Sequence, residues 1–444
     1  MRTPGILIQM TLLLLLPIVT AAQPVLTLDE AVAQAVSLNS GVAAAKAGGH
    51  EAAAREAAAR ARYFPTVTTS ESWQRGDAPV YVFSSLLAAR QFGASNFAIP
   101  ALNRPEPLGF FQAALSVDQV LFDGGRTRSA LDASRAARTS ADADVTLTEA
   151  EVAYQAAAAY VGVLTAESAQ RSAEAAVAAA VEDVERAERR RDAGTVTQAD
   201  VLALRVHLAA MRQQSIEAGS QAAVARATMN RLRGVPLHTA FRVQEPVISA
   251  TGGGDDEVAQ WTEDAMATRA ELRKADAAIR QSQAGQRLAA SQWWPQVAAQ
   301  GAYQWAGVRF SERQGAWVVG AQARWIWNAG GSAAADLKAA AASMARARAE
   351  REAVASAVAL DVLTASTRLV SARARATVAS AAVTEARESE RIVRDRYGAG
   401  LASVNDVLAS VAAVQRAEQQ RTSALTDHIM ARADLTRARG RSTE

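Results

Sequence analysis

The sequence predicts a mainly α chain with a membrane β part. Long antiparallel helices form an α-helical coiled-coil barrel, and four transmembrane β-strands per chain close as a trimeric 12-stranded β-barrel. Three observations carry this reading. Aromatic residues make up only 5% of the 444, while Ala, Arg, Glu and Val recur in long runs, which suits long helices better than compact cores. One turn is nearly duplicated, as RRRDAGTVTQADVL at 189–202 and DRYGAGLASVNDVL at 395–408. Between helical stretches the apolar period falls from about 3.5 to 2, the change expected where helices give way to strands.

At the N-terminus, Arg2 precedes an apolar run from Ile6 to Val19, followed by the small residues Ala21 and Ala22. Residues 1–22 are therefore expected to be an export signal peptide, because the run is shorter than the roughly 20 residues of an anchor helix. The chain has no Cys, which excludes a disulfide framework and an acylated N-terminal Cys.

The remainder divides into a first repeat at 23–233, a linker or equatorial segment at 234–256 and a second repeat at 257–444. YFP at 63–65 answers WWP at 293–295, an offset of 230, whereas DGGR at 123–126 answers AGGS at 329–332, an offset of 206. The shrinking offset places an insertion at 78–109, whose Pro and Gly residues read as a loop. The linker GVPLHTAFRVQEPVISATGGGDD holds two prolines and a triple Gly and is expected to contain one short strand.

Helical periodicity is explicit in the first repeat. Val152, Ala156, Ala159, Val163, Ala166, Gln170, Ala173, Val177, Ala180, Val184 and Ala187 alternate spacings of 4 and 3, and Val201, Leu204, Leu208, Met211, Ser215, Ala218, Ala222, Ala225, Met229 and Leu232 do the same. Both are heptad seams, and small residues on them let antiparallel helices approach closely. In the second repeat the seam beyond Val407 is less clean, with Val411 and Val414 followed by charged positions. A continuous helix over 126–191, at about 1.5 Å per residue, is a rod of roughly 100 Å.

The strands alternate. In AWVVGAQARWIWN, Trp317, Val319, Ala321, Ala323, Trp325 and Trp327 share a face, and in PQVAAQGAYQW so do Val297, Ala299, Gly301, Tyr303 and Trp305. FFQAALSVDQV repeats the pattern, and PTVTTSESWQ follows it less cleanly because Glu71 separates Val67 from Trp73. Trp73, Trp305, Trp317, Trp325 and Trp327 are the expected membrane-interface aromatics. Four strands cannot close where small barrels need about eight, so closure requires several chains.

The turns show how each helix ends. Gly194 and Gly400 supply the left-handed residue that closes a helix. Thr197 and Ser403 start the next ones, with Asp200 and Asp406 at capping-box spacing.

The duplicated plan, the DGGR and AGGS junctions and the AGTVTQADVL and AGLASVNDVL turns resemble the TolC-type outer-membrane efflux protein family, the outer-membrane factor of tripartite efflux or type I secretion systems. The resemblance covers essentially the whole chain after the signal peptide. It implies a homotrimeric channel-tunnel in the outer-membrane lipid, extending into the periplasm and conducting substrates passively, with no enzymatic activity and no cofactor. It implies docking to a periplasmic adaptor (membrane fusion) protein and an inner-membrane pump of RND, ABC or MFS type. Gly194, Thr195, Thr197, Gly400, Leu401 and Ser403 are the implied docking contacts, and Asp200, Tyr397 and Asp406 the implied periplasmic gate. Ala402 and Ala409 stand where the family's best-studied form has an Arg and a second Asp, so the latch is expected to be weaker or built differently.

The alternative is a soluble periplasmic coiled-coil scaffold or adaptor protein; the helices alone permit it, and the paired amphipathic strands argue against it. His50, His207, His238 and His428 are scattered without metal-ligand spacing. GGGDD at 252–256 lacks the Lys-Ser/Thr of a phosphate loop. A formal charge of +3, with Arg interleaved among Asp and Glu, gives no nucleic-acid patch.

Overall fold

A computed structural model of the chain describes residues 25–244, 255–327 and 329–440. The signal peptide at 1–22 and the triple Gly of the linker lie outside the described residues.

The elements run β1 (Val25–Leu26), α1 (Leu28–Leu38), α2 (Ser40–Ala61), β2 (Thr66–Gly76), α3 (Pro79–Ala88), α4 (Ile99–Asn103), β3 (Leu108–Phe122), α5 (Arg126–Asp192), α6 (Gln198–Leu232) and β4 (Arg242–Val243). After the linker come α7 (Asp255–Thr268), α8 (Ala270–Ala290), β5 (Gln296–Gly307), β6 (Gln314–Arg324), α9 (Ser332–Gly398) and α10 (Val404–Ala438). Helices α5 and α9 are each 67 residues long, and α6 and α10 each 35. Each long helix begins directly after a left-handed glycine, Gly125 (φ 86°) or Gly331 (φ 73°). At the first junction Asp123 accepts the N–H groups of Gly125 at 3.0 Å and Thr127 at 2.8 Å, satisfying donors that a helix start leaves open. Gly124 is required there on two counts: its φ is 64°, and a Cβ would stand 2.7 Å from Trp294 Cβ.

The seams on α5 and α6 pack as the heptads predict, every position being buried or half-buried. In α10 the structure corrects the sequence reading. A continuous seam runs through Val407, Ser410, Val414, Ala417, Ala424, His428, Ala431, Leu435 and Ala438, all buried, and only Arg421 at the intervening position is exposed. It is Ser410, not Val411, that enters the seam; polar Ser410 and His428 hid the 3-and-4 spacing from a hydrophobicity count.

One core lies where α1, the start of α2, α5 and α6 meet the parallel pair β1 and β4, around Val42, Val163, Met229 and Phe241. Its centre is Tyr160, fully buried, whose hydroxyl is 2.9 Å from the Leu26 carbonyl and 2.6 Å from that of Gln244 and accepts the Gln244 N–H at 2.9 Å. Burial pushes this phenol's pKa up. The short strand expected in the linker is β4, and it ties the linker to the start of the described chain. A second core joins α9 and α10 to α7 and α8 through Val358, Val362, Leu369 and Leu435.

The four long strands form one antiparallel sheet in the order β2-β3-β5-β6, leaving β2 and β6 as its edges. The insertion is a second correction. Read as a loop, it holds α3, a 3₁₀ turn at Ala94–Phe97 and α4, because Pro79 and Pro100 sit in the first turns of their helices, where a missing N–H costs nothing. Phe83, Phe92 and Phe97 lock it edge to face, with ring centres 4.4 and 5.0 Å apart.

Candidate functional site

Two regions stand out: the paired helix tips and the sheet.

The tips are built twice from the same backbone device. Gly194 (φ 73°) and Gly400 (φ 75°) end α5 and α9. The following Thr195 and Leu401 N–H groups donate back to the carbonyls of Arg190 at 2.9 Å and Arg396 at 2.8 Å, the long bond of a Schellman motif. Each next helix then opens on a capping box. Asp200 accepts the Thr197 N–H at 3.0 Å while the Thr197 hydroxyl accepts the Asp200 N–H at 3.2 Å. Asp406 and Ser403 repeat this at 2.8 and 3.2 Å. The Ser403 N–H and hydroxyl hold the Asp406 carboxyl below its usual pKa. Gly194, Thr195, Thr197, Gly400, Leu401 and Ser403 all sit exposed at one end of the two hairpins, Leu401 most conspicuously for an apolar side chain at 69%.

Of the gate candidates, Asp200 and Asp406 are engaged as caps, and no bond joins Asp200 to Tyr397 within the chain. Tyr397 instead lies under Arg190, whose guanidinium is 5.3 Å from the ring centre and donates to the Gly398 carbonyl at 2.9 Å. Nearby, Arg394 bonds Asp183 at 3.1 Å and Glu390 at 2.8 Å, and Asp183 also receives Arg186 at 3.2 Å. The first hairpin is thus bolted to the second through α5 and α9. Sequence reasoning missed Asp183, Arg190, Glu390 and Arg394, since nothing local says which long helices become neighbours. Asp192 pairs with its own neighbour Arg191.

The sheet has two unlike faces, set by register. Val67, Val117, Gly301 and Val319 form one cross-strand row, Thr69, Leu115, Tyr303 and Trp317 the next, and Trp73 faces Phe111. The opposite face carries Thr66, Asp118, Gln300 and Gly320, then Thr68, Ser116, Ala302 and Val318, then Ser70, Ala114, Gln304 and Ala316. Glu71 interrupts the apolar face as expected, and Arg313 neutralises it at 2.9 Å. Trp73, Trp305 and Trp317 lie toward the insertion; Trp317 is 75% exposed.

Trp325 and Trp327 are a correction. The alternation predicts them as strand residues, yet β6 ends at Arg324, because its last partner Gln296 follows Pro295, which has no N–H to extend the ladder. They stack 4.7 Å apart at the helix-facing end of the sheet, alongside exposed Trp293 and Trp294, two aromatics that the sequence reading left out. Among the described residues no cluster of His, Asp or Glu is suited to a metal ion.

The family profile described as outer membrane efflux protein matches residues 31–235 and 261–441. Solved structures share the fold. The outer-membrane channel OprN is 21% identical, with a TM-score of 0.78 over 93% of this chain and 89% of that one. The Campylobacter jejuni CmeC outer membrane channel is 15% identical, with a TM-score of 0.80 over 94% and 87%. The outer membrane protein VceC of Vibrio cholerae is 17% identical, with a TM-score of 0.78 over 94% and 97%. No curated protein matches the sequence.

Proposed function

The chain belongs to the outer membrane efflux protein family, and from that premise we propose how its parts serve an outer-membrane channel that extends into the periplasm. As a member of that family it is a transport channel and not an enzyme. Three copies assemble as a homotrimer. Edge strand β6 of one chain pairs with β2 of the next, giving twelve strands, and the α5/α6 and α9/α10 hairpins line a tunnel below. The repeats at 23–233 and 257–444, joined by 234–256, are its two structural halves. The observation that carries the trimer is the sheet, which has an apolar face, a polar face and two open edges, a form unstable in lipid until closed.

The exposed tips dock a periplasmic adaptor protein through Gly194, Thr195, Thr197, Gly400, Leu401 and Ser403, and an inner-membrane pump of RND, ABC or MFS type drives solutes in. Trp73, Trp305, Trp317, Trp325 and Trp327 sit at the two lipid interfaces. Asp200, Tyr397 and Asp406 line the periplasmic gate, and Arg190, Asp183 and Arg394 bolt it: they hold the two hairpins of one chain together, so opening requires their contacts to break. Solutes pass without a chemical step.

The test is mass and conductance. In mild detergent the protein from outer membranes should have about three chain masses, the twelve strands of a closed barrel, and in planar bilayers it should form channels. A water-soluble monomer or dimer from the periplasm would sink the reading in favour of a coiled-coil scaffold.

A further inference from the structure

The four long strands contain only four charged residues, Glu71, Arg75, Asp118 and Arg324. Their parity separates them. Glu71 and Arg75 share the apolar face with Trp73. Glu71 is paired with Arg313, and Arg75 stands one residue from the end of β2 at the insertion. Asp118 and Arg324 share the polar face, where their row partners are Thr66, Gln300 and Gln296. Neither has an ion-pair partner among the described residues, and both are exposed. The insertion packs over this same face at its far end, through Ala89 on Phe110 and Ala306, which share the parity of Gln112 and Gln304. A face that is polar and roofed at one end is the enclosed one.

We propose that Asp118 and Arg324 form two opposed charged rings inside the barrel, the Asp118 ring enriching cationic and depleting anionic solutes at its level and the Arg324 ring doing the reverse at its own. This rests on the trimeric barrel proposed above. Asp118 lies opposite Gln300 and Arg324 opposite Gln296, four residues apart along β5, or about 13 Å at the usual rise. A solute leaving the helical tunnel meets the Arg324 ring first and the Asp118 ring second.

Size decides whether such rings matter. Twelve strands spaced about 4.8 Å apart and tilted about 40° give a backbone diameter of about 24 Å. Side chains reduce the open radius to roughly 7 Å, within the Debye length of about 8 Å at 0.15 M salt. Three carboxylates at that distance, screened once, raise the cation concentration on the axis about threefold, while the rings are too far apart to cancel. The rest of the face is uncharged, Thr, Ser and Gln among small or apolar residues such as Ala302, Ala316, Val318 and Gly320, and selects no sign of charge. Charge discrimination in the barrel therefore falls to these two residues.

The absence of Cys makes the test clean, since a single introduced thiol reports its own surroundings. Ala302→Cys places one on the polar face beside Ser116, two positions from Gln300, and Val319→Cys places one on the apolar face. In intact outer membranes, cationic and anionic methanethiosulfonate reagents should modify Ala302→Cys and leave Val319→Cys unmodified. Adding Asp118→Asn to Ala302→Cys should lower the cationic-to-anionic rate ratio about tenfold at 0.15 M salt, because the cation loses and the anion regains about threefold each, with most of the difference gone at 1 M. Asp118→Glu should keep the ratio. With a reporter at Gln296→Cys, Arg324→Gln should raise it. Equal modification of both faces would defeat the barrel itself. Modification of Ala302→Cys alone, with a ratio indifferent to Asp118→Asn, would overturn the ring and leave the barrel standing.

Discussion

The two hairpins of this chain are copies in length and in turn, yet they differ in what fills their seams. Among the seam positions of α5 and α6 the buried ones are Val, Ala, Leu and Met, with Gln170 and Ser215 only half-buried, whereas the seam of α10 buries Ser410 and His428. The tips, by contrast, share one backbone plan, a left-handed glycine, a Schellman closure and a capping box in each. The difference teaches that turn geometry and seam chemistry are independent. A turn is set by a few residues with special backbone demands, so copies keep it or lose the hairpin. A seam needs only side chains that fit at a 3-and-4 spacing, so polar groups enter it, more deeply in the second copy, without changing the path of the helix.

The largest expected effect tests how far the tips are alike. Gly400→Val forces a β-branched residue into φ 75°, at a cost of about 1–2 kcal/mol, and thickens the exposed tip. Efflux should fall at least about tenfold, the outcome of misplacing a contact surface, while the trimer on native gels is kept. Parallel loss of trimer and transport would remove the docking role from this turn. Gly194→Val should behave alike if both tips dock; a lesser effect would show them unequal.

Next is the bolt between the hairpins. Arg394→Gln removes the cation that Asp183 and Glu390 share, leaving Asp183 only Arg186 of its own helix, and Arg190→Ala removes the contact over Tyr397. Each should raise single-channel conductance, the double variant most, while Asp200→Asn, which keeps an acceptor for Thr197, should change it less. Conductance that answers to Asp200→Asn alone would return the gate to the residues expected from sequence.

A smaller effect separates the two seams by pH. Burial, then the nearby Arg373 and Arg432, lower the His428 pKa, and its Nδ1 has no hydrogen-bond partner. The unfolded chain binds the proton more readily than the folded one, so this residue's contribution to stability is full above about pH 6.5 and is lost as pH falls through that value. Melting temperature should drop between pH 7.5 and pH 5, and His428→Leu should flatten the drop. An unchanged slope in that variant would place the acid sensitivity elsewhere.

The smallest effect is capping. Thr197→Ala and Ser403→Ala each remove one hydroxyl acceptor and should destabilise by about 1 kcal/mol, read as faster amide exchange in the first turn of α6 or α10.

Much of this was legible in the residues. The rods, their seams on α5 and α6, the glycine-closed tips and their caps follow from local rules of spacing and backbone conformation, which a sequence displays directly. So does the alternation that gives the sheet its two faces. The misreadings share one cause. The prolines of 78–109 read as loop breakers, Val411 as a seam residue in place of Ser410, and Trp325 as a strand residue, because each depends on what stands opposite or beside it in space. The Asp183–Arg394 and Arg190–Tyr397 contacts join residues more than 200 positions apart. Sequence by itself determined the helices, turns and strand faces, since those rest on neighbours in the chain. Only the tertiary structure decided that α5 lies against α9 at the tip and that the sheet runs β2-β3-β5-β6 with open edges, because packing between distant segments is chosen by the whole core.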